Sequence, residues 1–166
     1  MSFEKSPATS DYWAEFLTVK GNIADDYVVV AFGHTQEMAD ELVALVLSGT
    51  KRATTSLLRE YGPGLEPLPQ VGDFVIVIDG EGHPRCIWRT TEIVVKPLIE
   101  VDDAFAWDEG EGNRTRDWWL AAHRKYFSGQ AQREGFTMCD EIEAVFERFE
   151  IVWPPEVADL TLLTRL

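Results

Sequence analysis

Five consecutive apolar residues, Phe74-Val75-Ile76-Val77-Ile78, run directly into Asp79-Gly80-Glu81-Gly82. A β-branched run of that length is a buried strand, and the short glycine-rich segment after it is a hairpin turn. The chain must double back on itself here. A return strand is predicted over residues 84–90, continuing through Ile93, Val94 and Val95. Further strands are expected at 27–32, at 53–58 and at 145–153, the last stopped by Pro154-Pro155. Hairpins outnumber βαβ crossovers, which favours an antiparallel sheet or small barrel over a doubly wound sheet.

Helical spacing fills the gaps between these strands. Trp13, Phe16 and Leu17 share one face of a first helix, with Ser10 as its candidate cap. Met38, Leu42, Leu45 and Val46 give a second helix an apolar face, with Thr35 as cap and Gly49 as stop. A short helix is expected over 101–107. A longer one starts at Thr115, carries Trp118, Trp119, Ala122 and Tyr126, and ends near Gly129, with 130–140 irregular. Proline and glycine crowd residues 61–70, a loop. There is no repeat and no linker, so one domain over 1–166 is expected, with 1–26 as an N-terminal helical extension.

The chain has 166 residues and a net charge of −14. Such a charge repels long nucleic acid, which normally requires a basic face that releases counterions. Any nucleic-acid ligand must therefore be short, or held in a local cleft. Apolar runs are too short to span a bilayer, the first residues lack a signal-peptide pattern, and Cys86 and Cys139 form no CxxC pair. A cytoplasmic protein without disulfides, metal or cofactor is expected. His34, His83 and His123 are scattered, and Walker A, Rossmann and GxSxG patterns are missing.

Two segments carry candidate chemistry. In Leu47-Ser48-Gly49-Thr50-Lys51-Arg52-Ala53-Thr54-Thr55-Ser56 a cation and several hydroxyls stand where a helix meets a strand. The plain account of Lys51 is a cation satisfying the last helix carbonyls. The functional one is a lysine buried in a cleft, either as a point charge for phosphate or as a base with lowered pKa. Thr54 and Thr55 face opposite ways on a strand, so only one can share a pocket with Lys51. The second segment is Asp108-Glu109-Gly110-Glu111-Gly112-Asn113, an acidic turn in which glycines admit close approach and a carboxylate can move protons. Trp107, Trp118 and Trp119 flank it, and a tryptophan there is either core or a stacking platform for a base. Arg85, Arg89, Arg114, Arg116 and Arg124 are sources of local positive charge.

These residues resemble the ASCH domain family. Ser48-Gly49-Thr50-Lys51-Arg52-Ala53-Thr54 is similar to its G-x-K-x-x-T signature. Ala39-Asp40-Glu41-Leu42, Leu68-Pro69-Gln70-Val71-Gly72-Asp73, Gly82-His83-Pro84-Arg85-Cys86, Glu109-Gly110-Glu111-Gly112, Trp118 with His123, and Glu147-Arg148-Phe149-Glu150 follow in the order of the family's longer branch. The resemblance implies an α+β, PUA-like fold: a small mixed β-barrel of about five to six strands with helices packed around it. It also implies an association with RNA. Longer members are linked to cleavage of single-stranded RNA, and for this chain the expectation is a metal-independent hydrolase of that kind. Short members remove the acetyl group from acetylated cytidine, as amidohydrolases. The family's lysine and threonine fall on Lys51 and Thr54, and its glutamate on Glu111, with Glu109 as the alternative. Arg89, Trp118, His123 and Ser128 are the further residues expected to contact substrate, with His123 a candidate acid. The partner is then single-stranded RNA or a ribonucleoside, and a binding module without catalysis is the third reading. One departure is His34, which stands where longer members often carry an acid.

Overall fold

The computed structural model describes residues 2–159. Six strands form one curled half-barrel sheet in the order β1-β2-β4-β5-β6-β3: β1 is Ser2–Phe3, β2 Val28–Val30, β3 Ala53–Leu57, β4 Phe74–Ile78, β5 Pro84–Pro97 and β6 Glu143–Trp153. The expected hairpin is present: β4 and β5 are antiparallel, with Ile76 opposite Ile87. β2 joins β4 in parallel, and every other pairing is antiparallel, so the sheet is mixed. This is the α+β, PUA-like architecture that the resemblance implied. β5 and β6 are the two longest strands. Their register shifts twice, between Ile87 and Trp88 and between Thr90 and Glu92, and bulges bend strands and re-aim side chains.

Four helices pack around the sheet: α1 (Pro7–Lys20), α2 (Gln36–Leu47), α3 (Asp103–Glu109) and α4 (Arg116–Glu134). Thr35 caps α2 as expected, its hydroxyl accepting from the Met38 amide. The cap of α1 is Ser6, not Ser10: Pro7 pre-sets the first helical φ, and Ser6 and Thr9 satisfy each other's backbone amides. Ser10 instead places its hydroxyl 3.2 Å from that of Tyr27. α4 passes through Gly129 and ends at Gly135, because Phe127, Gln130 and Ala131 continue its buried stripe. The cost of one internal glycine, about 1 kcal/mol, is smaller than the gain from burying that stripe. Among the described residues no helix is long and apolar enough to cross a membrane.

The sheet separates three apolar clusters. Trp13 and Phe16 of α1 pack with Tyr27, Val29, Ile76 and Trp153. Val43 and Val46 of α2 pack with Phe32, Trp88, Phe149 and Ile151. Phe105 of α3 and Trp119, Leu120 and Phe127 of α4 pack with Ala53, Leu57, Ala144 and Phe146. Alternation along β3 and β6 therefore sends Ala53, Thr55, Leu57 and Phe146 toward α3 and α4. Thr54, Ser56, Glu147 and Phe149 go to the other face.

Candidate active site

The junction after α2 is held by backbone bonds on both sides. Thr50 and Lys51 amides both donate to Leu45 O, and the Arg52 amide donates to Asp108 O at 2.7 Å. The role first considered for Lys51, satisfying the end of the helix, belongs to Arg52, whose Nη1 donates to Val46 O at 2.8 Å. Arg52 also makes a forked pair with Asp159. This leaves the Lys51 side chain to run inward.

There Lys51 is only 1% exposed. Its Nζ donates to Glu111 Oε1 at 2.9 Å and to Glu109 Oε1 at 3.4 Å, and it lies 5.3 Å from the centre of the Phe32 ring. The glycines of the acidic turn make this approach possible. A Cβ on Gly110 would stand 2.4 Å from Thr50 O, and its φ is +75°. A Cβ on Gly112 would strike the Trp118 ring at 2.1 Å. Any larger residue at either position would push the turn away from Lys51.

Glu109 and Glu111 play different parts. Glu109 is 2% exposed and bonded on both oxygens. Oε1 meets Lys51 Nζ and His123 Nε2 (3.2 Å), while Oε2 accepts from the Thr55 hydroxyl (3.1 Å) and the Trp119 indole. Burial drives its pKa up, but Lys51, His123 and these bonds outweigh burial and bring it down to about 2. Glu111 is tied to Lys51 alone and keeps 19% of its side chain exposed. Its charge is felt at Tyr126, which lines the neighbouring groove.

Lys51 and His123 are both held as cations. Burial lowers the affinity of each for its proton, but the facing carboxylates more than reverse this, and both pKa values are raised. A lysine base with a lowered pKa is therefore the expectation the structure corrects. His123 stacks on Trp119 at 3.7 Å. Its Nδ1 faces Trp119 O at 2.9 Å and its Nε2 faces Glu109, two acceptors that only the doubly protonated ring satisfies. Both ring nitrogens are thus taken up inside the cluster, where the imidazole supports Glu109. With Lys51 and His123 positive and both glutamates negative, the cluster is neutral overall.

The remaining expected residues divide. Thr54 does not reach Lys51; Thr55 supplies the hydroxyl that bonds Glu109, because the parity of β3 puts Thr55 on the α4 side. Thr54 lies on the opposite face, beside Glu147. Trp118 covers Gly112 and supports the turn. Arg89 is on the outer face of β5, 3.9 Å from Glu150, and Ser128 is exposed on α4. Neither joins the cluster, since each is one face away from the side its element buries. The sequence leaves open which threonine faces Lys51 and whether Trp119 is core or site, and it does not show the double bonding of Glu109. Trp119 shares a helical stripe with His123, four residues on, which was the available signal.

A groove of about 1630 Å³ runs past the cluster. Lys51 and Glu109 sit behind its wall, at Phe32, Thr55 and Phe127, each of which touches the cluster. His34 lines it too, 5.5 Å from the Tyr126 ring. Glu147, not anticipated as a site residue, lies in its floor. Among the described residues no three His, Cys, Asp or Glu side chains are placed to hold a metal ion.

Among curated proteins no sequence matches the chain. A solved ASCH domain from Lactobacillus crispatus JV V101 is 28% identical and superposes with a TM-score of 0.82, covering 90% of this chain and 96% of its own. A protein from Enterococcus faecalis V583, of the family DUF984, is 31% identical with a TM-score of 0.78, over 87% of this chain and 92% of its own. The family model described as ASCH domain matches residues 28–153, a span that holds the Lys51 junction, the acidic turn and the Glu147 strand. The chain belongs to the ASCH domain family.

Proposed function

We propose that the protein is an RNA- or ribonucleoside-directed hydrolase, and that its reaction is metal-independent cleavage of single-stranded RNA. The observation that carries this is the Lys51–Glu111 pair: a fixed cation 2.9 Å from a carboxylate that keeps an open side. Glu111 takes the proton of a ribose 2′-hydroxyl. The 2′-oxygen attacks phosphorus, and Lys51 offsets the charge that develops on the phosphorane. The P–O5′ bond then breaks, and the leaving 5′-oxygen takes a proton from water, giving a 2′,3′-cyclic phosphate. Glu109 is a positioning residue in this scheme. Its low pKa makes it a poor base, and its bonds to Thr55, Trp119 and His123 hold Lys51 in place.

The groove favours a second reading as well. Two arginines and eight carboxylates line it, which disfavours a polyanion and suits an uncharged nucleoside. In that reaction Glu111 takes a proton from water, which attacks the amide carbon of acetylated cytidine while Lys51 stabilises the oxyanion; the C–N bond then breaks as Glu111 returns the proton to the leaving amine, giving cytidine and acetate.

The two are separated by assaying labelled single-stranded RNA, with chelator present, beside acetylcytidine. Wild-type protein is expected to cut the RNA, and Lys51→Ala and Glu111→Gln to lose at least about a hundredfold in rate. Unchanged RNA cleavage by Lys51→Ala contradicts the assignment. Release of cytidine with intact RNA selects the amide reaction.

A further inference from the structure

Glu147 stands in the floor of the groove on the face of β6 opposite to Arg148. Arg148 pairs with Asp108 and Glu92, whereas Glu147, 7% exposed, has no cation beside it among the described residues. The bulge at Thr90 to Glu92 turns the Thr90 hydroxyl onto Glu147 Oε1, at 2.6 Å. Glu147 Oε2 takes no hydrogen bond from the described residues. Nearby, the Trp88 Nε1–H is buried without a partner; it is close enough to pull on Glu147 but not in bonding geometry. Thr54 lies opposite Glu147 across the strands. The floor thus holds a free carboxyl oxygen, an unpaired indole N–H and a hydroxyl, beside the stacked rings of Trp88 and Phe149, 4.3 Å apart. Buried polar groups are rarely left unpaired, and an orphan donor beside a half-bonded acceptor is the inventory of a ligand site.

We propose that this floor, Glu147 with Thr54, Thr90 and Trp88, reads the hydrogen-bonding edge of a single nucleobase. The proposal rests on the RNA or ribonucleoside reading above and names what the substrate must present. The titratable groups facing Glu147 are Asp73, from the loop before β4, and Tyr61, from the loop after β3. Neither is a cation, and burial lifts the Glu147 carboxyl to about 7. Its neutral form offers one donor and acceptors, and matches an edge with a donor beside an acceptor, as in adenine and cytosine. Its ionised form only accepts, and matches the two adjacent donors of guanine. Base preference should therefore change with pH, and a glutamine at this position, always donor and acceptor, should not change.

The test is nucleoside titration followed by amide and indole NMR signals, with cytidine and guanosine at pH 6 and pH 8. In wild-type protein the guanosine-to-cytidine affinity ratio is expected to rise about tenfold between these pH values, with the Trp88 indole signal moving on binding. In Glu147→Gln the ratio should stay flat. A second measurement needs no variant: guanosine should lower the pH at which the wild-type Glu147 carboxyl carbon titrates, and cytidine should not. A pH-independent ratio in wild type, the same rise in Glu147→Gln, or an unmoved carboxyl titration overturns the proposal. Any of these alongside RNA cleavage or nucleoside turnover leaves the proposed function standing. Loss of all nucleoside binding together with no RNA cleavage ends both.

Discussion

Glu109 and Glu147 are the same residue type, both nearly excluded from solvent, and their proton affinities move in opposite directions. Glu109 is drawn down to about 2 and Glu147 pushed up to about 7. Burial acts alike on both, so the difference lies in their partners. Glu109 faces two cations, an indole N–H and a hydroxyl; Glu147 faces one hydroxyl and an indole N–H short of bonding geometry. A buried carboxylate with cations serves as a fixed anion, while one without them is a group that can gain or lose a proton near neutrality. The first suits holding Lys51; the second suits reading a ligand.

The contrast is broken most severely by removing the cation. Lys51→Met leaves Glu109 buried beside His123 alone and is expected to cost about 3–5 kcal/mol of stability, with loss of activity. Lys51→Met combined with Glu109→Gln should recover part of that loss, as denaturant midpoints would show. Acid titration comes next. Glu109, with its pKa depressed on folding, adds about 3 kcal/mol that is present above its unfolded value of 4.5 and lost as pH falls toward 2. Glu147 works in the reverse sense. Its raised pKa favours the native state below 4.5, and that contribution disappears as pH rises through about 7. Glu147→Gln should thus gain stability over wild type between pH 5 and pH 8, by about 2 kcal/mol, read as a melting difference that widens with pH. A constant difference would mean that Glu147 is not proton-bearing near neutrality. Thr55→Val removes one bond to a charged acceptor and should cost about 1.5–3 kcal/mol, whereas Thr54→Val should leave Glu109 undisturbed. At the small end, Ser128→Ala, an exposed position on α4, should change stability by less than about 0.5 kcal/mol and leave the rate unaltered.

Much of this was legible in the residues because local chemistry decided it. The Phe74–Ile78 run with its glycine turn, the Thr35 cap and the Gly49 stop act within a few residues, and the structure has each where the pattern puts it. Ser6 displaced Ser10 because proline pre-organises the first turn, and α4 overrode Gly129 because tertiary burial outweighs one residue's propensity. At the site, period two shows that Thr54 and Thr55 face apart, but not which face meets α4. The G-E-G spacing brought out Glu111 and Glu109 together; only the fold shows that one is caged and the other open. Glu147 was hidden for a similar reason. Its neighbours Thr90, Trp88 and Thr54 come from two other strands, and the bulge that turns Thr90 onto it leaves no mark in composition.

The charge state of Lys51 bears most directly on the account, because every role assigned here to Glu109, Glu111 and His123 depends on it. Its side chain can be followed by NMR at the carbon next to Nζ while pH is raised from 5 to 11. The expected result is a signal that moves only above the pH at which an ordinary lysine titrates, because the two carboxylates outweigh burial and raise the pKa. A titration with a midpoint near 7–8, as a lysine general base would show, contradicts it.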